Sequence, residues 1–140
     1  MAFLFDTDAI SELLRPRPSS AYVKWIMKVA REEQFTSAVV IGELYKGAYR
    51  AQDRKRHLSN IEKRVLPAVT VLPYDVAIAK VFGSIRAHLE SKGMILPDAD
   101  IQIAATAIGN TLELVTGNVR HFKRIPGLKL NKILVNSRTR

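Results

Sequence analysis

Along the chain, short apolar runs alternate with longer stretches in which apolar residues return every three or four positions. The first run, residues 2–6, breaks off at two acids, Asp6 and Asp8. Its length and its abrupt end predict a strand. Asp8 predicts an N-cap for the short helix that follows, and Pro16 and Pro18 predict its stop. In "SSAYVKWIMKVAREE", Tyr22, Trp25, Ile26 and Val29 recur at helical spacing, with Ser19 or Ser20 as cap. "FTSAVV" predicts a second strand running into the helix "IGELYKGAYRAQ". "RKRHLSNIEKRVLPA" predicts a helix that ends near Pro67, and "VTVLP" a third strand. "DVAIAKVFGSIRAHLESKG" reads as a long amphipathic helix with Gly93 as its end signal. "DADIQIAATAIGN" is a helix of small residues, "ELVTGN" a strand leading to a loop, and "LKLNKILV" a last strand. Strands separated by helices need crossover connections. The pattern therefore predicts α/β architecture with a mostly parallel sheet covered on both faces.

In such a sheet, ligands bind beyond the carboxyl ends of the strands. Asp6 sits at that end of the first strand. Glu43 interrupts the apolar, small-residue stretch "SAVVIGELYKG" just after the second strand. A carboxylate on that stripe must be solvated, paired or metal-bound. Asp98 and Asp100 fall in the first turn of the small-residue helix, where capping and the helix dipole favour acids in any case. The division expected there is Asp98 as cap and Asp100 as functional acid. Thr116 and Asn118 follow the strand "ELV" at the same sheet edge. Asn118 suits a water or a phosphate, and its plainer reading is a turn residue.

The chain has 140 residues, which predicts one domain spanning residues 1–140. It has no cysteine, so disulfides and thiolate zinc sites are excluded, and a reducing cytoplasm is the expected compartment. No stretch approaches the ~18 apolar residues of a membrane span, and the N-terminus lacks the marks of a signal peptide. Lys and Arg total 22 against 13 acids, a net charge of +9 that points to nucleic acid or an acidic partner. Lys46, Arg50, Arg54, Lys55, Arg56, Lys63 and Arg64 form one basic set, and after Glu113 there is no further acid. Clustered carboxylates on a basic protein suit a hard divalent cation, Mg²⁺ or Mn²⁺, better than zinc, because no histidine or cysteine stands at ligand spacing. His57, His88 and His121 are scattered, His121 being placed to touch a phosphate or simply lying at the surface. There is no phosphate loop and no nucleophile elbow.

"FLFDTDAISELL", "SAVVIGELYKG", "DADIQIAATA" and "LVTGNVRHFKRIPGLKL" resemble, in order and spacing, the motifs of PIN-domain proteins, most of all the VapC-type toxins of bacterial toxin–antitoxin pairs. The resemblance covers almost the whole chain. It places the family's first acid on Asp6, its helix glutamate on Glu43 and its third acid on Asp100. The fourth position, often aspartate, falls on Asn118, and the asparagine usual after the first acid is Asp8. The resemblance implies a three-layer α/β/α sandwich around a five-stranded sheet, and an endoribonuclease that uses Mg²⁺- or Mn²⁺-activated water to hydrolyse RNA phosphodiesters. Asp6 and Asp100 would anchor the ion, with Glu43 direct or through water; Asn118 and Asp98 would position water or phosphate. A homodimer and a cognate antitoxin that blocks the site are also implied. The competing expectation is a non-catalytic nucleic-acid- or partner-binding module, favoured by the departure at Asn118. Nuclease action on DNA is a further alternative.

Overall fold

The computed structural model describes residues 1–138. Its core is a five-stranded sheet in the order β3-β2-β1-β4-β5, parallel throughout. The strands are β1 (Phe3–Phe5), β2 (Gln34–Ser37), β3 (Thr70–Leu72), β4 (Glu113–Val115) and β5 (Leu130–Asn131). The helices are α1 (Thr7–Leu14), α2 (Ser20–Ile26), α3 (Ala38–Arg50), α4 (Arg54–Asn60), α5 (Val76–Ser91), α6 (Asp98–Gly109), α7 (Val119–Phe122) and α8 (Ile133–Arg138). Helices cover the sheet on both faces, the three-layer arrangement that the motif resemblance implies. All three residues of β1 are buried, as a central strand with both faces covered requires.

From β1 the chain steps outward through β2 to β3, then returns by α5 and α6 to enter β4 on the other side of β1. The strand order therefore reverses between β1 and β4. The crevice at the carboxyl ends of those two strands is where such sheets hold ligands. Register fixes the geometry: Phe5 pairs with Val115, and the Asp6 N–H donates to the Val115 carbonyl at 3.2 Å. The residues that follow each strand thus emerge side by side.

Several expected boundaries shift, each for a visible reason. Asp6, not Asp8, caps α1: its side chain accepts the Ala9 N–H at 2.8 Å. Helix α3 begins at Ala38, three residues early, because the Ser37 hydroxyl accepts the Val40 N–H at 3.1 Å and turns the chain at once. Helix α2 stops at Ile26, where bonds from Lys28 N to Trp25 O and from Val29 N to Ile26 O tighten the last turn; a 3₁₀ turn at Arg31–Glu33 follows. The helix at α4 continues as a π-helical turn, Ile61–Val65. The expected last strand shrinks to Leu130–Asn131, because the Asn131 side chain accepts the Ile133 N–H at 2.9 Å and starts α8. The loop expected after β4 contains the short helix α7.

Candidate functional site

Asp6 ends the central strand and opens α1, and it is 5% exposed. The buried Thr116, just past β4, donates its hydroxyl to the Asp6 carboxylate. Burial pushes the Asp6 carboxyl from an ordinary 3.8 up to about 7. The hydrogen bonds from Thr116 and Ala9 oppose that shift, while the charges of Asp8 and Asp100 add to it. Asp6 therefore feels Asp8 in the first turn of its own helix and Asp100 on α6.

A cleft of about 310 Å³ opens there, lined by Asp6, Thr7, Asp8, Glu43, Lys46, Asp100, Ile103, Asn118 and Phe122. The structure thus brings Asp6, Glu43, Asp100 and Asn118 to one cavity from four separate parts of the chain. Glu43 is half-buried on α3 and accepts a short hydrogen bond from the Thr7 hydroxyl. Asp100, in the first turn of α6, lies 3.4 Å from His121 Nδ1. The same ring nitrogen lies 2.9 Å from Asn118 Nδ2, and the Asn118 N–H donates to the Thr116 hydroxyl at 2.9 Å. Thr116 is therefore a hinge between Asp6 and the loop carrying Asn118.

Two of the expected roles change. Asp98 does not cap α6: Pro97 holds the cap position without a side-chain bond, and Asp98 is a surface acid paired with Arg86. A side chain in the first helical turn has no reason to fold back when an arginine lies in reach on α5. Asp8 does not cap α1 either. It lines the cleft but is held by Arg138, at 2.8 and 3.1 Å. His121 and Arg138 are the site residues that sequence reasoning did not assign. The spacing of Asn118 and His121, one helical turn apart in "NVRHF", is the signal for the first. Nothing local marks the second.

The cleft's donors are hard oxygens: four carboxylates, one of them (Asp8) paired with Arg138, a hydroxyl and an amide. That is the chemistry of Mg²⁺ or Mn²⁺ rather than of a soft metal. Among the described residues, as placed, no three acids stand close enough together to share an ion. Each acid is turned onto an internal partner instead, Glu43 onto Thr7 and Asp100 onto His121.

Residues 3–128 match the PIN domain family. The chain belongs to the PIN-domain family. Within it the chain is of the VapC type. It is 33% identical over 124 residues to the toxin FitB of Neisseria gonorrhoeae, covering 85% of this chain and 89% of that protein. It is also 33% identical over 129 residues to the tRNA(fMet)-specific endonuclease VapC of Shigella flexneri, covering 92% and 96%. Among solved structures, the VapBC2 complex of Rickettsia felis bound to a DNA fragment from its promoter gives a TM-score of 0.86 at 26% identity. That match covers 94% of this chain and 98% of the other. The five-stranded parallel sheet is accordingly the PIN fold.

Proposed function

We propose that this PIN-domain protein is the toxin of a toxin–antitoxin pair, an Mg²⁺- or Mn²⁺-dependent endoribonuclease whose site is the cleft between β1, α3, α6 and the loop after β4. The observation that carries this is the convergence of Asp6, Glu43, Asp100 and Asn118 on one cavity at the switch point. The relatives named ribonuclease or endonuclease support the activity, and the VapBC complexes support a protein partner of the antitoxin kind. The PIN match, residues 3–128, supports one catalytic domain over the whole chain.

Asp6 and Asp100 would hold the ion, with Glu43 and Asn118 acting through water. Mg²⁺ commonly takes only one or two carboxylates and keeps several waters, so a site without a dense acid cluster suits it. When bound, the ion supplies Lewis-acid activation of water and offsets charge on a phosphate. The remaining work falls to the chain. Asp6 is fixed by two hydrogen bonds to one edge of the cleft, so a cation there meets a preset ligand. Lys46 lines the same cleft and brings a positive charge to a phosphate held there. His121, bonded to Asn118, orients the Asn118 amide. RNA as substrate, a homodimer and a cytoplasmic setting belong to the same proposal. Among the described residues, no helix is long and apolar enough to cross a membrane.

The test is cleavage of defined RNAs by the purified protein. Cleavage should require Mg²⁺ or Mn²⁺, stop with EDTA, and fall at least about 100-fold in Asp100→Asn, as removal of an electrostatic stabiliser does. Cleavage that survives chelation, or an Asp100→Asn variant as active as the wild type, would return the competing view of a non-catalytic binding module or a different site.

A further inference from the structure

Asp8 is the acid the cleft does not account for. It stands one position beyond Thr7 in the first turn of α1, lines the cleft, and is close enough to raise the Asp6 carboxyl. Left free, it would be a fourth carboxylate at the site. It is not free. Arg138, at the end of α8, donates from one terminal nitrogen to Asp8 Oδ2 at 2.8 Å and from the other to Oδ1 at 3.1 Å. Both carboxylate oxygens are therefore engaged in a two-pronged ion pair. The guanidinium is anchored from behind: its Nε and one terminal nitrogen donate to Glu12 Oε1 at 3.2 and 2.5 Å. Glu12 is only 3% exposed and is itself fixed by Arg15 at 3.0 Å and by the Ser19 N–H at 2.9 Å. The loop carrying Asn118 is pressed against this pair, because a Cβ at Gly117 would run into Asp8 and Arg138.

We propose that Arg138 is a positioning residue that keeps the Asp8 carboxylate out of cation coordination and so leaves a cation to Asp6, Glu43 and Asp100, whose partners in the cleft carry no fixed positive charge. The inference rests on the cation-binding view of the site given above. A buried glutamate anchoring an arginine that spends both prongs on one aspartate has no need of that geometry for surface solubility. The Asp8–Arg138 pair is itself part-exposed, but it joins α1 to α8, and two further hydrogen bonds hold the guanidinium on buried Glu12. The charge presented to a cation is thereby set by the docking of the C-terminal helix, not by α1 alone.

The experiment titrates Mn²⁺ into the full-length protein and reads free Mn²⁺ by electron paramagnetic resonance, with thermal melts as a check on folding. Four proteins are compared: wild type, Asp8→Asn, Arg138→Met, and Arg138→Met/Glu12→Gln. The double variant removes the charge that Arg138→Met would strand beside Arg15, and so keeps the test open if the single variant folds poorly. Asp8→Asn should bind Mn²⁺ within about threefold of wild type. Both Arg138 variants should bind about 10-fold or more tightly, since a freed carboxylate adds a ligand and such partners shift metal affinity by 10–100-fold. Loss of affinity of about 10-fold in Asp8→Asn would show Asp8 to be a ligand and overturn the proposal. So would folded Arg138 variants, single or double, that bind no more tightly than wild type. RNA cleavage by the wild type is scored separately. Absent cleavage with the expected affinities sinks the ribonuclease proposal alone; cleavage with unchanged affinities sinks the role of Arg138 alone.

Discussion

At Asp6 one side chain caps a helix and carries a charge into the core. It accepts the Ala9 N–H at 2.8 Å while only 5% exposed, and burial lifts its carboxyl to about 7. In the unfolded chain the same group titrates near its ordinary 3.8. Between these values the folded state keeps a proton that the unfolded state has released. The stability this lends is complete below about 3.8 and is lost as pH rises through about 7. Asparagine keeps the cap, since Asn and Asp cap about equally well, but it cannot ionise. Metal-free Asp6→Asn should therefore exceed wild type in stability at pH 8 by about 0.5–2 kcal/mol, with the gap closing towards pH 4. Asp6→Ala should fall about 1 kcal/mol below Asp6→Asn at every pH, through loss of the cap. Urea melts of the three proteins at both pH values decide it, and an Asp6→Asn variant no better than wild type at pH 8 would remove the buried charge from the account. Asp6 and Glu43 stood out because each breaks an apolar stretch, whereas Asp100 and Asn118 were assigned to the site only in company with the other motifs, a first-turn acid and a turn asparagine having plainer readings alone. Arg138 was not, since its partners Glu12 and Asp8 lie 126 and 130 positions away and no local pattern records them. Asp8 was misplaced as a cap because the rule that puts an acid ahead of a helix had two acids to choose from, two residues apart.

The elements themselves follow the hydropathy pattern closely; their ends follow side-chain hydrogen bonds that the pattern does not contain. "FTSAVV" is apolar enough to continue as a strand, but Ser37 stops it. That stop matters, because it sets the helical phase that carries Glu43 into the cleft. Ser37 is 1% exposed, so its bond to the Val40 N–H is shielded from water. Replacing it with alanine should cost about 1 kcal/mol, with the unfolding slope unchanged. A Ser37→Ala protein as stable as wild type would mean that the start of α3 is held by packing alone. At α2 the helical spacing puts Trp25 on the same apolar face as Tyr22, Ile26 and Val29. The ring packs edge-on against Phe3 at 5.1 Å and Phe5 at 6.2 Å, and stacks with Tyr22 at 6.1 Å. Much of its surface is spent on β1, which is why α2 lies where it does. The tail "LKLNKILV" shows the opposite case: its β-branched and leucine content suits a strand, yet the Asn131 turn limits the strand to Leu130–Asn131 and starts α8 at Ile133.

Over the whole molecule, the acids gathered at one crevice leave the +9 charge to the surface around it. Glu43, Lys46 and Arg50 lie on one side of α3, at spacings that share a helical face, so the basic set begins at the cleft and runs outward. Among the described residues, the side chains of Lys46 and Arg50 have no hydrogen-bond or ion-pair partner, whereas Arg54, Arg56 and Arg64 are already engaged with protein oxygens. Unpaired cations beside the cleft are the ones available to phosphates. Each phosphate contact on a single strand releases counterions and adds about −0.7 to the slope of log affinity against log salt. Contacts to three or four phosphates would give a slope of about −2 to −3 for a single-stranded RNA, measured in EDTA so that the strand stays whole. Replacing Lys46 and Arg50 together by alanine should flatten that slope by about 1–1.5 and weaken binding at low salt most. The exposed lysines Lys24, on α2, and Lys28, just past its end, do not line the cleft and should leave it unchanged when altered in the same way. If the slope of the Lys46/Arg50 variant matches the wild type while the Lys24/Lys28 control flattens it, the RNA path does not run along α3, and the charge around the crevice serves something other than holding the strand that the cleft is proposed to cut.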